Sequence, residues 1–343
     1  MKRFFASNCT ECPTLEYSAS IGPVIGKIDD SLILEAETIL RLALDRGFPS
    51  LPLAPMIGSS DLKLCMHSYL DTLGLTDRVD ILEGPEAMLS IAKVVKPGSA
   101  KSLNSKHTVY LTRRPVPESI VPSLCAHELG THLLRMMNHD HQLWSGSRRI
   151  SYKLSSHLST EEGLATLNGL LADTGVPLLF SAALRYYAAV LGRDANFVEL
   201  FNLLAQYVPD PHVRFRYCCR VKRGVSDTSL PGSNSDDQSY FIGAVDLLRH
   251  LESTDFVSLY SGLVDRKDME RLKNLARVDC IHLPPFLRSV EAVEEYTQRL
   301  RYMAYCNRIT VSVRVGRQMS RCRSVRLMRR MSRCRSRVVH VLC

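Results

Sequence analysis

Apolar side chains at Leu32, Ile33, Ala36, Ile39, Leu40, Ala43 and Leu44 follow the three-and-four spacing of an amphipathic helix that stops at Gly47. Pro49, Pro52 and Pro55 punctuate a connector, and Asp61 to Leu73 repeats the helical pattern up to Gly74. Three short runs of strand character come next: Val79 to Leu82, Ile91 to Val95 and Thr108 to Thr112. Turn residues separate them at Gly84-Pro85 and Pro97-Gly98. Pro115 to Pro122 leads into a helix that begins near Ser123 and runs through Met137. Further helical patterns follow at Gly163–Asp173, Pro177–Leu191, Asn196–Tyr207, Asp237–Leu251, Lys267–Ala276 and Val290–Asn307. Gly224 to Ser235, rich in Ser, Gly and Pro, reads as a loop. Strands before, helices after and no alternation predict an α+β fold, a small β-sheet preceding a predominantly helical part. Residues 1–31 lack clear periodicity and read as an N-terminal arm.

The ends change the picture of charge. The chain of 343 residues carries 44 basic and 35 acidic side chains, a formal charge of +9. Residues 309–343 hold ten of those arginines and no acid, so 34 basic residues face 35 acidic ones elsewhere. The basicity belongs to the tail and does not describe a basic catalytic face. Met-Ser-Arg-Cys-Arg-Ser stands at 319–324 and again at 331–336. Low complexity with one sign of charge reads as a disordered segment. Either it binds an acidic partner, a protein tail or nucleic acid, or it is an extension without a role. Nucleic acid is expected nowhere else.

Eleven cysteines suggest a disulfide framework only in a small secreted chain. Here Met1-Lys2-Arg3 is followed by just Phe4-Phe5-Ala6 before polar residues, too short for a signal segment. Arg185 interrupts the most apolar run, Pro177 to Leu191, so it reads as a buried helix and not a membrane span. The thiols are expected to be reduced and the chain cytoplasmic. Cys9 and Cys12 form a CxxC with no partner pair at metal-site spacing, and Cys218-Cys219 read as packed thiols.

The chemistry concentrates in Cys125-Ala126-His127-Glu128-Leu129-Gly130-Thr131-His132. Zinc peptidases place two histidines four residues apart on one helical face, with a glutamate beside them as general base. Here the spacing is five. At about 100° per residue, five steps set the imidazoles roughly 140° apart. One π-bulge absorbs the extra residue, and Gly130 between the histidines makes a distorted turn easy to accommodate. A third ligand is still needed, with one position left for water. Ser159 or Thr160 can cap the next helix, and Glu161 and Glu162 stand in its first turn. They are either ordinary N-terminal acids favoured by the helix dipole or the source of that ligand. A small sheet just before the metal helix fits a zincin, whose edge strand can hold an extended peptide.

Five stretches carry a resemblance: HELGTHLLRMMN, HQLW, TEEGLA, CCRVKRGVSDTSLPG and LKNLARVDCIHLPPFL, in order within residues 32–308. The chain resembles the microtubule-associated tyrosine carboxypeptidase family, zinc metallopeptidases with an H-E-x-x-x-H helix and a Glu-Gly-Leu-Ala motif. That resemblance implies a glutamate-zincin catalytic domain over 32–308. It implies one Zn²⁺ per chain held by His127, His132 and Glu162, with Glu128 as base. Glu161 stands where bacterial relatives have Gln. The implied activity is removal of the C-terminal tyrosine of α-tubulin, with the tubulin tail and microtubules as partners and a cytoskeletal location. One departure is visible: Asp236-Asp237 precedes Gln238-Ser239-Tyr240 where the family tends to carry Lys-Asp.

A carboxypeptidase also needs a cation for the terminal carboxylate. Arg220, Lys222 and Arg223 are candidates, because Arg grips a carboxylate bidentately; a solvated basic turn is the alternative. Tyr240 is a candidate oxyanion donor. His139, His141 and His157 read as surface or supporting groups, and Trp144 as packing for the loop after the metal helix. Two other classes compete. One is a metallopeptidase of dipeptidyl-peptidase or endopeptidase type, since dipeptidyl-peptidase III also pairs H-E-x-x-x-H with Glu-Glu. The other is a non-catalytic cytoskeletal or nucleic-acid binder.

Overall fold

The computed structural model describes residues 26–47, 55–84, 91–95, 106–173 and 175–312. The CxxC at Cys9, most of the N-terminal arm and the duplicated Arg-rich hexapeptide lie outside the described residues. The helical stripe near the start becomes the inner face of α1 (Ile33–Asp45), where Ala36, Ile39, Leu40 and Ala43 are fully buried. Burying a Leu or Ile side chain is worth roughly 1.5–3 kcal/mol, so this stripe and not intrinsic propensity holds the helix in place. The described end of the arm also docks on the body. Asp29 N–H donates to the Gln238 side chain, which donates in turn to the Lys27 carbonyl.

After the short strand β1 (Met56–Ile57) comes α2 (Ser59–Leu73), ended by Gly74 at φ 69°. The strands β2 (Val79–Glu83), β3 (Ala92–Val95) and β4 (His107–Leu111) form a sheet with order β2-β4-β3. The β2–β4 pair is parallel and the β3–β4 pair antiparallel, leaving β3 as an edge beside the metal-motif helix. Burial alternates along β4, with His107, Val109 and Leu111 facing inward. A second ladder joins β1 to β5 (Val116–Pro117) and leads the chain into the motif.

Helices make up the rest. The motif spans α3 (Val121–His127), a π turn (Glu128–Leu133) and α4 (Leu134–Asp140). Then come α5 (Arg148–Ser151), α6 (Leu158–Ala172), α7 (Phe180–Asp194), α8 (Phe197–Leu203) and α9 (Pro211–Val221). The chain closes with α10 (Gln238–Arg249), α11 (Phe256–Leu259), α12 (Arg266–Leu272) and α13 (Val290–Cys306). The fold is α+β, with small sheets and a large helical part around one apolar core.

Two local expectations need correction. Helix α6 starts at Leu158 without a side-chain cap, so neither Ser159 nor Thr160 caps it. Thr160 instead donates to Asp265 and accepts from Arg266 N–H, tying α6 to the start of α12. Helix α9 has no counterpart in the periodicity reading, because only Cys218 and Val221 along it are buried. Its start signal was nonetheless present: Asp210 accepts from His212 and Val213 N–H, and Pro211 occupies the first turn.

The crossing of α6 and α10 sets the site. A Cβ on Gly163 would lie 2.2 Å from the carbonyl carbon of Gly243, and one on Gly243 would lie 1.6 Å from the Ser159 oxygen. Neither glycine has positive φ; both are needed for close approach. Overpacking costs about 1–3 kcal/mol where side chains can yield, and here only backbone is met. Gly243→Ala is therefore expected to lose about 3 kcal/mol or more in chemical denaturation. A midpoint equal to that of the parent protein would show that the helices can part without cost.

Candidate metal centre

The helix of the motif is regular up to His127 and widens once. Backbone angles stay in the right-handed helical region on both sides, from φ −67°, ψ −59° at His127 to φ −62°, ψ −46° at Leu134. Bonding through this turn runs from i to i+5 and not from i to i+4, and the two imidazoles converge with ring centroids 4.8 Å apart. Gly130 is not needed for its conformational freedom, since its φ is not positive. A Cβ there would meet the Tyr69 hydroxyl at 2.6 Å, so space and not dihedral explains the glycine.

Glu162, one residue before the Gly163 crossing, brings its carboxylate to the pair. Its Oε2 lies 3.8 Å from His127 Nε2 and 3.6 Å from His132 Nε2. Ligand atoms of the three residues all fall within 4.8 Å of one another. Tetrahedral ligands about 2.0–2.1 Å from zinc lie roughly 3.3 Å apart, so small adjustments close the site. Glu162 Oε2 is buried and has no hydrogen-bond partner. An orphaned carboxylate oxygen facing two imidazole nitrogens is a donor set for a cation, and the residues fit zinc.

Glu161 faces the other way and supports this centre. Its Oε1 accepts from His132 Nδ1 at 2.7 Å, and its Oε2 pairs with Arg135. Arg135 is fully buried and also donates to the carbonyls of Leu259 (3.0 Å), Gly262 (2.9 Å) and Val264 (2.9 Å). The arginine fixes the glutamate, and the glutamate fixes the imidazole with Nε2 turned to the metal position. His127 is held by a backbone hydrogen bond at Ala165. Sequence reasoning did not find the role of Arg135; its only signal was a charge on the buried side of an apolar helix.

Burial dominates the electrostatics. It pushes the Glu128 carboxyl up to about 7, with Glu162 adding to the rise and His132 opposing it. Burial pulls His127 down to about 3, helped by the neighbouring His132. At His132 the same pull is outweighed by Glu161 and Glu162, which hold its pKa well above the usual value. Burial would raise Glu161 and Glu162, but the cations beside them keep both below the ordinary carboxylate range.

The basic candidates separate. Arg220 donates to Asp237 at 2.8 Å and to the Tyr240 hydroxyl at 3.3 Å. Tyr240 in turn stacks on His127, with centroids 6.3 Å apart and planes 18° from parallel. Arg223 is partly exposed near Asn234 and Asp236, at 3.4 and 3.6 Å. Lys222 turns away and corrects the expectation of a substrate contact. It is 3% exposed, and its ammonium donates to the carbonyls of Gly192, Ala195 and Gly232. It ties the end of α7 to the loop after α9.

A cation the sequence reading passed over stands beside Tyr240. Arg185, the interruption of the apolar run, lies with Cζ 4.8 Å from the Tyr240 ring centroid. Its Nε is buried and has no hydrogen-bond partner, and its charge helps depress the pKa of His127. A charge on a buried helix face is costly unless it is used; that was the available signal. Trp144 is fully buried, edge-on to Tyr152. His141 is exposed, His139 is buried under Gly262, and His157 sits at the start of α6, pulled down to about 4 by burial.

Two helices thus carry a His-His-Glu cluster with the half-buried Glu128 carboxylate beside it and arginines around a tyrosine at its edge. That is the centre of a candidate metallopeptidase. The family described as Microtubule-associated tyrosine carboxypeptidase matches residues 93–308, and the chain belongs to it. Microtubule-associated tyrosine carboxypeptidase 1 of Mus musculus is 31% identical over 319 residues, covering 90% of this chain and 66% of the relative. The proteins of the same name are 30% identical over 319 residues in Rattus norvegicus and 31% over 318 in Homo sapiens. Each match covers 90% of this chain, and 66% and 65% of those relatives respectively. The chain therefore spans slightly less than two thirds of the length of these relatives. No helix among the described residues is long and apolar enough to cross a membrane.

Proposed function

We propose that this chain is a zinc-dependent carboxypeptidase that removes a C-terminal tyrosine from an acidic polypeptide tail of the α-tubulin type. Zn²⁺ is held by His127, His132 and Glu162. The observation that carries the reading is the buried, unpartnered Glu162 Oε2 set between two imidazole nitrogens. When bound, zinc polarises the scissile carbonyl and acidifies water.

The chain's own groups do the rest. The carboxylate of Glu128 takes a proton from the attacking water and delivers it to the leaving amine as the C–N bond breaks. The products are a shortened chain with a new carboxylate and free tyrosine. Arg220 donates to the Tyr240 hydroxyl, which leaves the phenol proton free to point at the developing oxyanion. Burial pushes Tyr240 up to about 12, so it stays a donor at neutral pH. Arg185 and Arg220 flank that ring and supply positive charge for the terminal carboxylate. The edge of β3 beside the π turn suits an extended peptide. A cytoplasmic, cytoskeleton-associated location follows from such a substrate.

The test uses short peptides ending in Glu-Glu-Tyr, Glu-Glu-Phe and Glu-Glu-Glu, each with free and amidated C-termini. Release of a single tyrosine from the free peptide only is expected. A charged hydrogen bond is worth about 1.5–3 kcal/mol, so Arg185→Ala is expected to lower kcat/KM roughly 10- to 100-fold on the free peptide. Equal cleavage of free and amidated ends would replace the carboxypeptidase reading with an endopeptidase one.

A further inference from the structure

A widened turn is not a resting state of this sequence by itself. Helix interiors favour the regular ladder, and a regular ladder would splay His127 and His132 by roughly 140°. Something outside the helix must favour the wider form, and a buried polar relay stands against it. Tyr296 on α13 donates to Asn168 Oδ1 at 2.7 Å. The Asn168 amide on α6 donates to Thr131 Oγ1 at 2.8 Å and to the Tyr260 hydroxyl at 3.0 Å. Thr131 then donates to the Ala126 carbonyl at 2.8 Å, and Tyr260 to the Gly130 carbonyl at 2.8 Å.

All four side chains are at most 3% exposed. Each proton of the relay has one destination. Tyr296 fixes which end of Asn168 is the acceptor; both amide protons are spent; each receiving hydroxyl passes its own proton to a backbone oxygen. Of those two oxygens, the one at Ala126 lies just before the π turn and the one at Gly130 lies within it. Left without partners, buried groups of this kind are expensive. The donors also belong to particular elements. Asn168 shares α6 with Glu162, and Tyr260 immediately follows α11, next to Leu259, whose carbonyl accepts from Arg135.

We infer that Tyr296, Asn168, Tyr260 and Thr131 are positioning residues that hold the π turn open and set it against α6, so that two histidines five residues apart and Glu162 meet at one point. This rests on the zinc reading above and goes beyond it by assigning the device that builds the site. None of the four touches metal or substrate, so their effect is read in metal affinity and not in the chemical step.

The test measures the zinc dissociation constant by chelator competition, together with the melting temperature of zinc-free protein. Tyr260→Phe and Thr131→Val each remove one donor to the turn. Supporting partners of metal ligands typically contribute 10- to 100-fold in affinity, and a loss of about tenfold or more is expected for each. Thr131→Ser, which keeps the hydroxyl, is expected to stay within about threefold of the parent by the same measure. Asn307 provides the control. It is buried and bonded to the backbone at Leu179, Pro177 and Met303, away from the relay. Asn307→Ala is expected to lower the melting temperature while leaving zinc affinity in place. Unchanged affinity in both Tyr260→Phe and Thr131→Val, or an equal loss in Asn307→Ala, overturns the inference. If Tyr260→Phe fails to fold, the Thr131→Val and Thr131→Ser pair decides alone. Parent protein that binds no zinc overturns the metal reading first, and this inference with it.

Discussion

Glu128→Gln is expected to bind one zinc per chain and to lose turnover by a factor on the order of 10² or more. The residue lies between the two histidines in sequence yet is not part of the converging set formed by His127, His132 and Glu162. Gln keeps its size and polarity, so the site should assemble as before. It cannot accept a proton from water and hand it on, and general-base catalysis is typically worth 10²–10⁴. His127→Ala and Glu162→Ala are expected to behave differently, losing the metal itself. Metal content of the three purified variants, read beside single-turnover rates on a Glu-Glu-Tyr peptide, separates the roles. A Glu128→Gln protein that cleaves at the parent rate would remove Glu128 as the base. Stoichiometric zinc in both ligand variants would remove them as ligands.

Glu161→Ala is expected to be the most destabilising single change near the site. It leaves the fully buried guanidinium of Arg135 without its anion and His132 Nδ1 without its acceptor. Breaking one side of a buried pair typically costs about 3–5 kcal/mol, because the remaining charge stays desolvated. Zinc affinity should fall with it, by roughly 10- to 100-fold, as the imidazole loses its orientation. The double variant Arg135→Met with Glu161→Gln provides the diagnostic comparison. Removing both charges lifts the desolvation penalty, so the double variant should unfold at higher denaturant than Glu161→Ala. Its zinc affinity should still be weak, since a neutral amide holds His132 less firmly. A double variant less stable than Glu161→Ala would mean that Arg135 is held by its three carbonyl contacts and owes little to Glu161.

Much of the local structure was legible because it depends on neighbours in the chain. Apolar spacing alone placed α1 within a residue or so at each end, and the three strand readings correspond to β2, β3 and β4. The π turn was legible for a sharper reason. Five residues between two imidazoles cannot share a face of a regular helix, so if the histidines act together the helix must widen there, as it does. Helix α9 escaped because its pattern is mostly solvent-facing, and a helix that buries little leaves little period to read.

By itself the sequence determined the chemistry of the centre: which residues carry imidazole and carboxylate, and the spacing that forces a distorted turn. Those are covalent facts, set by composition and by rotation per residue. The tertiary structure alone decided direction. Arg220, Lys222 and Arg223 are neighbours in sequence, but α9 ends at Val221, so Arg220 projects from its last turn while Lys222 and Arg223 project from the non-helical turn that follows. One therefore reaches Tyr240, one is sealed under backbone carbonyls and one stays at the rim. Arg185 arrives beside the same tyrosine from α7, and Glu161 serves His132 while Glu162 faces the metal position, because the Gly163–Gly243 crossing fixes how α6 is rotated. No local rule contains that rotation; it comes from how closely two backbones can approach.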